Sequence, residues 1–232
     1  MTHKFDYENF LKDKRIALVS TGGVMVGSNN GAKIDSHDVV IRINRAVPVQ
    51  NKEDYGTRTD ILYNCLDNRS HAGGIINGKL WKEHGVKYVK CPFPATEKFV
   101  REHKSRELRE ILPVAYGEKE YYEKFKSTQN GFRPNTGTAA LIDLLQYDFK
   151  SLHLFGFDFF RTLYDKKYTT RCNTKQEYEK WMGAGRRTDR HDPDTQYLYF
   201  KNEIYKKDKR IIVEPYFEKI LADDSNDRMF FL

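Results

Sequence analysis

The chain has 232 residues, of which 31% are charged, and its formal net charge is +7. That length suits a single domain over residues 1–232 with a hydrophobic core, and no run of roughly 18 apolar residues offers a membrane span. Basic residues alternate with acidic ones, as in Lys98 to Leu112, which is typical of a solvated helix face and does not predict nucleic-acid binding.

Strands and helices alternate along the first half of the chain. A helix is predicted over Phe5 to Lys12, and the apolar run Ile16 to Val19 predicts a buried strand. The next predicted strands are Val39 to Ile43, Asp60 to Tyr63 and Val86 to Val89, and the next predicted helices are Lys98 to Leu112 and Glu120 to Lys126.

A glycine loop follows the first predicted strand. Gly22 and Gly23 let a ligand approach the backbone amides, and the hydroxyls of Ser20 and Thr21 suit a phosphate or a ribose. A purely structural turn is the alternative, because glycine punctuates loops of every kind. The fingerprint Gly-x-Gly-x-x-Gly of dinucleotide-binding proteins is absent, which disfavours an oxidoreductase.

A second loop of the same kind begins at Pro134. Asn135 and Thr136 are good N-caps, and a helix is predicted over Thr136 to Gln146. The exposed amides at such a helix start attract anions. The apolar residues of Ser151 to Phe155 then predict another strand.

The last third of the chain begins with a polar stretch, Tyr164 to Arg190, which predicts a mobile lid, at its widest residues 162–190. The elements predicted after it are a helix over Pro193 to Lys206, a strand at Arg210 to Val213 and a helix near Phe217 to Leu221. The whole pattern indicates an α/β fold with a Rossmann-like, mostly parallel sheet flanked by helices.

Two blocks of the sequence resemble those of glycosyltransferase family 29, the sialyltransferases. The stretch from about Ile16 to Asn64, with IDSHDVVIRIN and YGTRTD, is similar to the large motif of that family. The stretch from Pro134-Asn135-Thr136-Gly137 to Phe155-Gly156-Phe157 is similar to its small motif. The resemblance implies a single-domain, GT-A-like variant of the Rossmann-like sheet.

The resemblance also implies a function, with roles for individual residues. An inverting transferase would move a sialic acid from a CMP-activated donor to the hydroxyl of a glycan or glycolipid acceptor, with no cofactor and no metal. The family pattern assigns donor contacts to Thr21, Gly22, Gly23, Asn44, Asn64, Asn135, Thr136 and Gly137. It assigns the general base to His191.

Each assignment has an alternative. Asp192 is expected to cap the helix that starts at Pro193, and the positive end of that helix favours the neutral imidazole that a base requires. The alternative is that His191 is an ordinary surface histidine. Asn44 and Asn64 can each offer a donor and an acceptor to a nucleotide, or cap turns. Arg42 is either a ligand group or the partner of Asp38 or Asp35 in an ion pair.

The chain departs from the family pattern in three places. Gln196 stands where the family has a Glu, and no second His lies between His153 and His191. The disulfide of the animal enzymes cannot form, because Ala17, Leu18 and Tyr147 stand in the corresponding region. The scattered Cys65, Cys91 and Cys172 instead favour reduced thiols.

The resemblance leaves open both the identity of the donor and whether the chain is catalytically active. A related sugar acid such as Kdo, carried by CMP, is an alternative donor, and a CMP-binding protein that has lost catalysis is the alternative function. Without an apolar leader or anchor at the start of the sequence, the expected location is the cytoplasm.

Overall fold

The computed structural model describes residues 5–69, 72–96, 102–163, 165–168, 174, 176–177 and 191–223. Seven strands in this part of the chain form one sheet in the order β5-β4-β3-β2-β1-β6-β7, and every adjacent pair is parallel. The strands are β1 (Arg15–Val19), β2 (Val39–Ile43), β3 (Ile61–Tyr63), β4 (Tyr88–Cys91), β5 (Val114–Tyr116), β6 (Ser151–Phe155) and β7 (Ile211–Val213).

Helices connect the strands, as parallel pairing requires. They are α1 (Tyr7–Leu11), α2 (Gly31–Asp35), α3 (Lys52–Tyr55), α4 (Gly78–Glu83), α5 (Glu102–Arg109), α6 (Lys119–Thr128), α7 (Thr136–Leu144), α8 (Pro193–Tyr199) and α9 (Pro215–Ala222). A π-helical turn, Phe200–Tyr205, continues α8. None of the helices in these described ranges is apolar over the length that a bilayer crossing needs.

Both faces of the central strands are buried, because side chains alternate along a strand and helices cover each side. Ile16 and Leu18 of β1 belong to the larger core with α7, α8 and α9. Ala17 and Val19 point to the opposite core, which α2 and α3 cover. The predicted α/β fold with a parallel sheet flanked by helices is therefore confirmed.

The structure contains several short elements that the sequence did not predict. These are β5, α2, α3 and α4, each of three to six residues. Elements this short carry too few residues to show a hydrophobic period. The helix predicted to run to Lys206 changes to π geometry after Tyr199. Most of the predicted lid at residues 162–190 lies outside the described residues.

A buried ion pair joins α7 to the sheet. Nζ of Lys90 on β4 lies 2.7 Å from Oδ2 of Asp143 on α7, and both side chains are about 95% buried. The hydroxyl of Tyr63 donates to the same oxygen at 2.6 Å. Lys90 also donates to the Tyr147 hydroxyl at 2.6 Å and lies over the ring of Tyr7. The network holds the helix whose first turn contains Thr136 and Gly137.

A second buried carboxylate ties α2 to the end of β7. Glu214 accepts a hydrogen bond from Lys33 at 2.8 Å and one from Asn30 at 2.9 Å. Nε2 of His153 lies 2.6 Å from Oε1 of Glu214. Burial raises the pKa of Glu214, but the hydrogen bonds from His153 and Lys33 outweigh burial and bring the pKa to about 2.

This depressed pKa predicts a pH-dependent stability. A Glu side chain titrates near 4.3 in the unfolded chain, so the Glu214 contribution is complete above that pH and is lost as the pH falls toward 2. We expect the free energy of unfolding of the native chain to fall between pH 5 and pH 2.5 by about 2 kcal/mol more than that of Glu214→Gln. Urea unfolding at both pH values measures the difference.

The control for this measurement is the exposed Glu203→Gln. Glu203 pairs with Lys207 on the surface, where both side chains are about half exposed or more. Its pH dependence should match that of the native chain. An equal acid-induced loss in Glu214→Gln and the native chain would contradict the prediction.

Candidate active site

The candidate site lies at the carboxyl edge of the sheet, where ligands bind in open parallel sheets. Gly22 follows β1, Asn44 follows β2, Asn64 follows β3 and Gly156 follows β6. The parallel registers bring these strand ends side by side, with Val19 opposite Phe155 and Ile43 opposite Tyr63. Residues far apart in the sequence therefore meet along one edge.

The glycine loop after β1 packs tightly against the end of β6. A Cβ atom on Gly22 would lie 2.5 Å from the carbonyl oxygen of Gly156, so no larger residue fits there. The Gly23 amide donates to the Leu163 carbonyl at 2.9 Å, and a phosphate contact at that amide would displace this bond. In the described part of the chain, no hydrogen bond engages the half-buried Thr21 hydroxyl.

The predicted helix start after Pro134 is confirmed. The Asn135 side chain accepts a hydrogen bond from the Thr138 amide at 3.0 Å and so caps α7. The preceding amides of Thr136 and Gly137 have no acceptor within a helix. A Cβ atom on Gly137 would lie 3.3 Å from Phe157, so this end of α7 packs beside the end of β6. Two amides without a helical acceptor and a positive helix end have the chemistry to bind an anion.

His191 binds the turn that precedes this helix. Its Nδ1 lies 2.9 Å from the carbonyl oxygen of Arg133. A carbonyl only accepts, so Nδ1 carries the proton and Nε2 carries the lone pair of the neutral ring. The predicted cap next to it is confirmed, because Asp192 accepts from the amides of Asp194 and Thr195 at the start of α8. The tautomer is the one in which Nε2 can accept a proton.

Gln196 joins the same turn from α8. The side chain is fully buried, and its Oε1 accepts from the backbone amide of Asn135 at 3.2 Å and from the Asn135 side-chain Nδ2 at 2.8 Å. The beginnings of α7 and α8 are thus in direct contact, which brings His191 together with Asn135, Thr136 and Gly137.

Asn44 lies beside this helix start. Its backbone has a φ of 52°, a left-handed conformation that asparagine tolerates better than most residues. Its Oδ1 accepts from the Cys65 amide at 3.1 Å, and its side-chain NH₂ offers donors to a ligand. Burial raises the pKa of the Cys65 thiol, which is hydrogen-bonded to Thr136. Cys65, which the sequence did not single out, links Asn44 to α7.

Asn64 has the surroundings of a structural residue. It is fully buried, its Nδ2 donates to the Gly73 carbonyl at 3.0 Å, and its Oδ1 accepts from the Leu66 amide at 2.8 Å. These bonds correspond to the turn-capping alternative. A nucleotide contact at Asn64 would have to replace one of them.

Arg42 is also engaged by its own chain. Of the two roles that the sequence left open for Arg42, the ion pair with Asp38 or Asp35 is not formed among the described residues, since Arg42 donates to the Arg58 carbonyl at 2.9 Å and the Tyr55 carbonyl at 2.6 Å. Burial lowers the pKa of Arg42 to about 10. Arg42 therefore braces the loop after α3 from inside the protein.

The loop after β6 contains a buried carboxylate, Asp158, that was not predicted from the sequence. Asp158 accepts from the amides of Phe160 at 2.9 Å and Thr162 at 3.0 Å, and burial raises the pKa of Asp158 to about 6. Phe159 and Phe160 both have φ values between 50° and 61°, which is strained for aromatic residues. The available signal was an acid close after the end of β6, separated from it by Gly156 and Phe157.

Arg161 connects this loop to α8. Its guanidinium lies 3.7 Å from the centroid of the Tyr197 ring, and its Nη1 lies 3.3 Å from Oδ1 of Asp194. Asp192 thus caps α8, and Asp194 forms an ion pair with Arg161. Among the described residues, no group of three or more His, Cys, Asp or Glu side chains is placed to hold a metal ion.

Comparisons with known proteins agree with these motifs. Residues 5–106 match the sequence model of glycosyltransferase family 29 (sialyltransferase). The mouse alpha-N-acetylgalactosaminide alpha-2,6-sialyltransferase 2 is 47% identical over 45 residues, 19% of this chain and 12% of that protein. The human type 2 lactosamine alpha-2,3-sialyltransferase is 25% identical over 178 residues, 67% of this chain and 53% of that protein. The chain covers at most about half of either relative.

Solved structures share the fold. A mammalian sialyltransferase superposes with a TM-score of 0.53 at 18% identity, covering 90% of this chain and 71% of that one. The sialyltransferase CstII from Campylobacter jejuni, in complex with cytidine-5'-monophosphate, superposes with a TM-score of 0.53 at 12% identity, covering 87% of this chain and 80% of that one. The resemblance to the sialyltransferase family and the GT-A-like sheet are confirmed.

Proposed function

From the match of residues 5–106 to glycosyltransferase family 29, we propose that this chain is an inverting transferase for a CMP-linked sialic acid or a related sugar acid. The observation that carries the proposal is the contact between His191 and the turn before α7. This contact places an imidazole with its lone pair on Nε2 beside a helix end suited to anions. A base and an anion site side by side are what such a transfer needs.

The donor is held mainly by α7 and Asn44. The amides of Thr136 and Gly137 bind the phosphate or the sugar carboxylate, whose negative charge the helix end favours. The Asn44 NH₂ donates to the cytosine or to a ribose hydroxyl. Thr21 adds its hydroxyl from the glycine loop beside Gly22 and Gly23.

The reaction exchanges one bond at the anomeric carbon for another. The bond from that carbon to the phosphate oxygen breaks, and CMP leaves with the electron pair. The oxygen of an acceptor hydroxyl, on a glycan or glycolipid, forms the new bond on the opposite face and so inverts the centre. Its proton passes to Nε2 of His191, the general base.

No metal ion is needed for this leaving group. CMP carries a single phosphate, so a divalent cation has no diphosphate to clamp. Asp192 and Asp194, which have the spacing of a metal-binding pair, already serve the α8 cap and Arg161. The positive end of α7 supplies the charge stabilisation instead.

A CMP-release assay tests the proposal. The native chain with CMP-Neu5Ac and water alone should release CMP slowly, faster with a suitable acceptor, and equally in EDTA. A parallel assay with CMP-Kdo identifies the preferred donor. Loss of release in EDTA that manganese or magnesium restores would contradict the metal-free mechanism.

A second candidate function is CMP binding without catalysis. It is favoured by Gln196, which replaces the expected Glu, and by the missing second His. Tight CMP binding measured by calorimetry, with no release from either donor in an acceptor screen, would establish this alternative.

A further inference from the structure

We propose that Gln196 is a positioning residue that keeps the general base His191 in register with the donor-binding start of α7. The proposal rests on the proposed function and adds a role for a position that departs from the family pattern. It starts from a contact between residues 61 positions apart in the chain.

The side-chain amide of Gln196 sets the orientation of the Asn135 side chain. Its Oε1 accepts two hydrogen bonds from Asn135, one from the backbone amide and one from Nδ2. Because Nδ2 is held by Gln196, the Oδ1 of Asn135 is turned toward the Thr138 amide, which it caps at 3.0 Å. Gln196 therefore determines which way the Asn135 amide points.

Helix α8 holds the same turn at two points. His191, just before α8, binds the Arg133 carbonyl at 2.9 Å. Gln196, within α8, binds Asn135 and lies 3.5 Å from the same Arg133 carbonyl through its Nε2. With two attachments the turn cannot pivot about the His191 bond. With one attachment it can, and the imidazole would shift relative to the amides of Thr136 and Gly137.

Only some side chains at position 196 can make these hydrogen bonds. A carboxylate has oxygens that accept both Asn135 bonds, so Glu preserves the attachment to Asn135 and gives up only the long 3.5 Å contact of Nε2 with the Arg133 carbonyl. A Met side chain has similar size but no oxygen, and it leaves the two half-buried donors of Asn135 without this acceptor. The attachment thus needs a side-chain oxygen at this position, which either Gln or Glu supplies.

The test compares Gln196→Met, Gln196→Glu and Gln129→Met in the full chain, with CMP-Neu5Ac as donor. Misplacement of a catalytic group by about 1 Å costs up to 10²-fold in rate. We expect Gln196→Met to lower kcat at least tenfold and to change KM for the donor less than threefold. Gln196→Glu should stay within threefold of the native kcat.

Gln129→Met is the matched control. Gln129 is as fully buried as Gln196, but it lies at the end of α6, and within the described residues its Nε2 bonds to the adjacent Thr128 alone. The Gln129→Met variant should leave kcat unchanged, although it also replaces a buried Gln by Met. An unchanged kcat in Gln196→Met, or an equal loss in the control, overturns the proposal.

Hydrogen exchange separates this proposal from the proposed function. If the native chain releases no CMP, the proposed function fails, and the backbone amides of Asn135 and Thr138, which donate to Gln196 and to Asn135, become the readout. Those amides should exchange faster in Gln196→Met than in the native chain, Gln196→Glu or Gln129→Met. Unchanged exchange in Gln196→Met would overturn the positioning role independently of any activity.

Discussion

Replacing His191 by alanine is expected to lower the rate of CMP release from the sugar donor by about 10²–10⁴-fold, the usual contribution of a general base. The expected effect is large because the Arg133 carbonyl holds a proton on Nδ1, so that in the neutral ring the lone pair is on Nε2. The donor contacts at Asn44 and α7 do not involve the imidazole. CMP affinity, measured by calorimetry, should therefore change little.

A second substitution separates proton transfer from anchoring. Glutamine at position 191 can still donate to the Arg133 carbonyl but cannot accept a proton at neutral pH. His191→Gln should therefore be as slow as His191→Ala. The matched control is His84→Ala, an exposed histidine at the end of α4, which should keep the native rate. Native activity in His191→Gln would show that the histidine anchors the turn and is not the base.

Replacing Lys90 by methionine is expected to cost about 3–5 kcal/mol in the free energy of unfolding. The substitution leaves the carboxylate of Asp143 about 95% buried without its ammonium partner, although Tyr63 still donates to it. Burial already raises the pKa of Asp143 in the native protein, and removal of the lysine raises it further. Urea unfolding at neutral pH measures the loss.

Two further variants test whether the loss of stability in Lys90→Met comes from the unpaired charge of Asp143. The double variant Lys90→Met with Asp143→Leu removes both charges and should recover much of the lost stability, as replaced buried pairs often do. The surface variant Lys207→Met breaks an exposed pair with Glu203 and should change the stability by about 0.5 kcal/mol or less. A loss of that small size in Lys90→Met would mean that water reaches Asp143.

Particular elements show how far the sequence predicts the fold. The boundaries of β2 and β6 and the first residues of α7 and α8 were predicted without error, because apolar runs and N-caps are local signals. β5 was missed, because three half-buried residues at a sheet edge carry no such signal. They form a strand only because β4 is there to pair with them.

In the candidate site, too, the sequence predicts the local features and the tertiary structure determines the contacts. The sequence indicated which residues have the chemistry, and the structure decided how each is used. Asn44 and Asn64 both follow strands, yet the side chain of Asn64 is bonded to Gly73, Leu66 and the Asn44 carbonyl, while no hydrogen bond within the described part of the chain engages the Asn44 NH₂. The difference depends on where Gly73 and Cys65 lie, which no local pattern states.

By itself the sequence determined the alternation of strands and helices, the caps, and the two motifs that resemble those of the sialyltransferases, because each depends on neighbours a few residues away. Only the tertiary structure decided that Gly22 packs against Gly156, that Gln196 binds Asn135, and that Arg42 is buried among carbonyls. The physical reason is that the partner of a side chain depends on which strand ends and helix starts the crossover connections bring to one edge of the sheet.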